Sequence, residues 1–167
     1  MLSLRSSFIL LFCIFLTIFV FAKLLTVYQV KKINKKHNET SIKKLIKNFI
    51  GLTLIIFGLL KLYDLEKFVN IFSKYDLISK KINIYGYSYP FIEILLGILT
   101  VSSINVINNI KIIIILMTIS IISVGFSLFK GQQLRCGCLG AFFHVPLSYI
   151  TLSENIMMII MSFKYLL

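Results

Sequence analysis

The stretch from Ile110 to Phe129, IKIIIILMTISIISVGFSLF, decides the fold. It is rich in isoleucine and carries no charge after Lys111. Its length matches the about 20 apolar residues that take an α-helix across a hydrocarbon core of about 30 Å. Working outward, similar runs occupy residues Ser7 to Val30 (interrupted by Lys23), Leu45 to Leu62, Tyr85 to Ser103 and Pro146 to Phe163. The chain is 58% hydrophobic with a mean hydropathy of +0.93, above the roughly 45–50% apolar content of soluble domains. Five spans and their links use up the 167 residues, so no separate soluble enzyme domain fits. The expected fold is all-α and integral to a membrane.

The first run has a second reading. Arg5, the apolar stretch Phe8 to Phe21 and the small residue Ala22 resemble a signal peptide. The apolar character resumes at Leu24-Leu25-Thr26-Val27-Tyr28, which favours an uncleaved helix or signal anchor over residues 1–30. The connection 64–85 mixes charge with regular aromatics (Phe68, Phe72, Tyr75), the pattern of a short interfacial helix. No internal repeat or soluble linker stands out.

The net charge of +12 lies mostly in connections between apolar runs, where it suits anionic lipid headgroups and implies no nucleic acid partner. Lys31, Lys32, Lys35, Lys36, Lys43, Lys44 and Lys47 crowd one connection against Glu39 alone, so the positive-inside rule puts that connection in the cytoplasm. Counting spans forward, the loop 130–145 faces outside, although four lysines in 64–85, partly offset by three acids, weaken the asymmetry. That loop reads Leu134-Arg135-Cys136-Gly137-Cys138-Leu139-Gly140. Outside the cytoplasm, paired thiols can form and exchange disulfides.

Several motifs recur in an order that resembles a known family. The second run carries Gly51-Leu52, Gly58 and Lys61-Leu62-x-Asp64; the third carries Pro90-x-x-Glu93-x-x-x-Gly97. The last loop and run carry Cys136-x-Cys138-Leu139-Gly140, Val145-Pro146-Leu147-Ser148, Thr151-Leu152 and Asn155. Residues 45–165 thereby resemble the MauE (methylamine utilisation) family, related to the DoxX group of redox-associated membrane proteins. The resemblance implies a four-helix transmembrane bundle over 45–167 in the bacterial inner membrane, associated with thiol–disulfide chemistry that supports maturation of a partner. Residues 1–30 would then be an additional helix and 31–44 a lysine-rich connection. The family's Cys-x-Cys falls on Cys136 and Cys138, and Cys13 inherits nothing.

Residue chemistry gives three readings of the cysteine pair. A disulfide between residues i and i+2 closes a very small ring, with a Cα separation near the lower limit, so it would be strained and easily reduced. Gly137 permits the backbone angles such a ring needs, and Arg135 would favour the attacking thiolate. The pair therefore suits thiol–disulfide oxidoreductase-like exchange with a thioredoxin-like or disulfide-containing extracytoplasmic protein. No cofactor is identified; a quinone could accept electrons, but no residue marks a site for one. Alternatively, Cys136, Cys138 and His144 could carry a soft metal such as Cu(I), Hg(II) or Zn(II), without an obvious fourth ligand for zinc. The third reading is a structural subunit whose thiols are incidental.

Glu93 and Glu154 are the remaining candidates, since a carboxylate inside a span is costly and marks either function or a paired interior contact. They could handle protons for the cysteines or glue helices together, for instance through an ion pair of Lys61 with Glu93. Lys61 and Asp64 are expected at the end of the second run, within reach of headgroups. Gly51, Gly58 and Gly97 are expected to permit close helix approach.

Overall fold

The computed structural model of the chain describes residues 4–32, 41–130 and 147–167. Its elements are all helical: α1 (Leu4–Lys32), α2 (Ser41–Tyr63), α3 (Leu65–Tyr75), α4 (Asn83–Val101), α5 (Val106–Phe129) and α6 (Leu147–Leu166). Among the described residues, α1, α2, α4 and α5 are long and apolar enough to cross a membrane. The 20 residues of α6 reach about 30 Å at 1.5 Å per residue, and this helix packs on α5 and α2. The chain is thus a multi-pass membrane protein with an all-α bundle. Each apolar run of the sequence falls on one helix, although the third run extends two residues past the end of α4 and the fifth starts at Pro146, outside the described residues; α2 starts a turn before its run, at Ser41, which takes Lys43 and Lys44 into the helix.

The helices alternate in direction. Phe15 of α1 meets Phe57 of α2 while Phe19 meets Phe49, so α1 and α2 are antiparallel. Asn48 fixes their other end, donating to Thr26 at 3.0 Å and to Gln29 at 3.1 Å. Along α2 and α4, Gly51 lies against Gly97, and Gly58 against Pro90 and Ile94, which makes this pair antiparallel too. An added Cβ on Gly97 would sit 2.7 Å from the Gly51 carbonyl oxygen, closer than real side chains allow. The expectation of glycine-mediated helix approach is met here.

Two links shape the ends. Asp64 caps α3, its carboxylate accepting from the Lys67 amide at 3.2 Å, and so organises the helix start. The buried face of α3, Phe68, Val69, Phe72 and Tyr75, lies on the bundle, as its amphipathic pattern requires. At the opposite end, α4 turns into α5 through Ser103 and Asn105, both with left-handed backbone, a conformation asparagine tolerates better than most residues. Lys47 reaches across to donate to the Ser103 hydroxyl.

These directions put the C-terminus of α2, α3, the N-terminus of α4, the C-terminus of α5 and the N-terminus of α6 at one end of the bundle. The sequence between Phe129 and Leu147 joins two helices at that α3 end.

Candidate functional site

The interior of the α3 end is polar where an apolar bundle would be expected to be dry. Lys61, near the end of α2, is only 5% exposed and Glu93, midway along α4, only 2%. The Lys61 Nζ lies 2.5 Å from both carboxylate oxygens of Glu93. Stripping two ions of water costs several kcal/mol each, and the pair holds only if geometry and further partners repay it. Here they do. The ammonium faces the Tyr89 ring at 4.8 Å and the Phe68 ring at 5.7 Å, within the range of cation–π attraction. Tyr89 is also hydrogen-bonded to Glu93. The expected ion pair of Lys61 with Glu93 is present, and it turns Lys61 inward, away from the headgroups that were its other expected partners.

Aromatic rings roof this pair. Phe72 lies 4.8 Å from Tyr89 and 5.0 Å from Phe68 between ring centroids, and Tyr75 meets Phe72 edge to face at 5.5 Å. The α3 helix therefore closes the α3 end with rings whose spacing suits aromatic pairing.

The floor and far wall come from α5 and α6. Asn155 donates to the Ser120 hydroxyl at 2.9 Å, and Glu154, one residue earlier, is 8% exposed. Lys61, Glu93, Tyr89, Ser120, Glu154 and Asn155, with the α3 rings, line one small cavity holding about 10 Å³ for the centre of a water molecule. That is the space of a single water. The described residues offer no room there for an organic cofactor.

A third buried carboxylate, at the C-terminus of α3, works differently. Asp76, 1% exposed, accepts from the Ile78 amide at 3.0 Å and the Ser79 amide at 2.7 Å. Its other oxygen accepts from the Ser123 hydroxyl of α5 at 3.3 Å. These bonds tie the turn after α3 to α5, and they involve no cation.

Of the residues singled out in the sequence, Glu93 and Glu154 line the same cavity, with Lys61 and Asn155 beside them. Cys136, Cys138, Arg135 and His144 lie outside the described residues. Cys13 is exposed on α1. No group of three or more potential metal ligands occurs among the described residues. Sequence reasoning missed Tyr89, Ser120 and the Asp76 turn. A signal for Ser120 existed: Ser120, Ser123 and Ser127 punctuate the Ile-rich run at helical spacing, and all are buried.

The family model for methylamine utilisation protein MauE matches residues 39–167. No curated protein and no solved structure matches the chain.

Proposed function

Because this chain belongs to the MauE family, we propose that it supports thiol–disulfide exchange with an extracytoplasmic partner through Cys136 and Cys138. The family description points to methylamine utilisation as the setting. In this reading the lysine-rich end of the bundle faces the cytoplasm, and the α3 end faces outward from the bacterial inner membrane. The additional helix α1 anchors the chain beside a MauE-like bundle.

One observation supports the reading above the others. The buried charged cavity lies in the half of the bundle to which the cysteine segment is joined. Ser120 is nine residues before the end of α5 and Glu154 seven residues after the start of α6, so both are within about 14 Å of those helix ends. Ionisable side chains inside a span are expensive and concentrate at working sites. A thiolate of the partner would attack one sulfur of the Cys136–Cys138 disulfide, forming a mixed disulfide and releasing the other sulfur as a thiolate. The partner's second thiol would then displace the first sulfur, leaving the partner oxidised and both cysteines reduced.

The test is labelling of intact cells with a membrane-impermeant thiol reagent in a Cys13→Ser background. Cysteines labelled only after mild reductant support an exposed, labile disulfide. The Cys136→Ser/Cys138→Ser chain should lose partner oxidation and still insert in the membrane; retained oxidation would sink the reading. Thiols uncovered by a chelator instead of a reductant would replace exchange with soft-metal carriage.

A further inference from the structure

We propose that α1 is a permanent span of the mature protein, docked on α2 by a polar latch in which Thr26 and Gln29 hold the carboxamide of Asn48. The latch lies seven residues into α2, about 10 Å from the helix start. Asn48 is fully buried. The two hydrogens of its amide go to the Thr26 hydroxyl at 3.0 Å and to the Gln29 side-chain carbonyl at 3.1 Å. The Thr26 hydroxyl gives its own hydrogen to the Ala22 carbonyl at 2.7 Å, which leaves its oxygen to accept. The Asn48 Oδ1 has no hydrogen-bond partner among the described residues. Without α1, the carboxamide would lose both of its bonds between spanning helices, where lipid offers no replacement.

Apolar packing continues the latch along the same seam. Phe15 lies against Phe49 and Phe57, at 6.2 and 5.9 Å between ring centroids, and Ile18 and Ala22 are buried in that cluster. Phe15, Ile18, Ala22, Thr26 and Gln29 thus form one face of α1 at helical spacing. A signal peptide would be cut after Ala22. That cut would strip Phe15 and Ile18 from the core and break α1 one turn before the latch. Ala22 is also badly placed for a peptidase working at the outer surface. It stands 18 residues from Leu4, about 27 Å along α1 from the α3 end. With the α3 end outward, an orientation that rests on the proposed function, Ala22 lies in the cytoplasmic half of the span. The family match starts at residue 39, so the latch joins an added helix to a residue inside the matched region.

The experiment purifies the full-length, C-terminally tagged chain from membranes in mild detergent and measures its intact mass, which should include residues 1–22. A specific protease site placed in the 33–40 connection is then cut. The α1 helix should stay with the tagged bundle, and Thr26→Val/Gln29→Leu should lower the retained fraction several-fold. Adding Asn48→Leu should restore much of it, because an apolar seam strands no polar group. A chain lacking residues 1–22, or a wild type that releases α1 after the cut, overturns the proposal. So does a Thr26→Val/Gln29→Leu variant that retains α1 as fully as the wild type. Full mass with bound α1 upholds the docking even where an impermeant reagent fails to reach Cys136 and Cys138 from outside, a result that overturns the proposed orientation instead.

Discussion

The seam between α2 and α4 is one helix pair closed in two ways. In its half near Gly51 and Gly97, the backbones touch: a Cβ on either glycine would lie within 2.8 Å of the other's carbonyl oxygen. In its half near Lys61 and Glu93, the same helices are bridged by a buried ion pair beside a water-sized cavity. The glycine half has no spare volume, and the buried charge at its end, Lys47, donates to the Ser103 hydroxyl. The charged half has spare volume, but every charge in it depends on another. Pro90 lies a turn from Glu93 on α4, on the side away from Gly97. Its missing amide leaves the Gly86 carbonyl without the usual helical donor, and its own carbonyl packs 3.1 Å from where a Gly58 Cβ would be. Close packing at Gly58 thus reaches into the half that holds the ion pair.

The comparison is broken most severely by removing one charge. Glu93→Ala leaves the Lys61 ammonium buried and should destabilise the protein by about 3–5 kcal/mol, read as loss of folded protein in detergent titration. Lys61→Met combined with Glu93→Leu should recover much of that loss, because an apolar pair of similar volume carries no desolvation cost. A double variant as unstable as Glu93→Ala would mean that the pair is not the source of the effect. The glycine half should respond to volume instead. Gly97→Val forces α2 and α4 apart and should cost about 1–3 kcal/mol, whereas Gly125→Ala, with nothing within 4 Å of an added Cβ, should be silent in the same assay.

The two halves were unequally legible in the sequence. Span positions follow from apolar run length, and each run falls on one helix because lipid leaves the backbone no other way to satisfy itself. Gly51, Gly58 and Gly97 could be assigned to helix contact without knowing the partner, since small residues do that work in most membrane bundles. Charges were harder. Glu93 and Glu154 declared themselves by lying inside apolar runs, yet Lys61 sits at a run's end, where snorkelling to headgroups is the ordinary outcome. Only the approach of α4, permitted by Gly58, turns it inward. The α3 rings looked like interfacial aromatics, and their role as a lining depends on α3 folding back over the bundle. The Asp76 turn was hidden because its partners are backbone amides of Ile78 and Ser79, which no composition reveals.

Asp76 gives an intermediate test of whether a buried carboxylate needs a cation. Asp76→Ala strands two amides and the Ser123 hydroxyl and should cost about 1–3 kcal/mol. Asp76→Asn keeps an acceptor for the amides and should lose less. Equal losses would show that the charge itself matters there, as it does at Glu93.

The weakest contact sharpens the contrast furthest. Asn155 and Ser120 are joined by a neutral hydrogen bond of 2.9 Å in the same cavity as the ion pair. Such bonds between spanning helices contribute only about 0.6 kcal/mol on average, because the separated helices find other partners. A cycle of Asn155→Ala, Ser120→Ala and both together should therefore give a coupling near that value in unfolding measurements. A coupling several times larger would make this bond a helix clamp, and the polar half of the seam would then be held together by more than its ion pair.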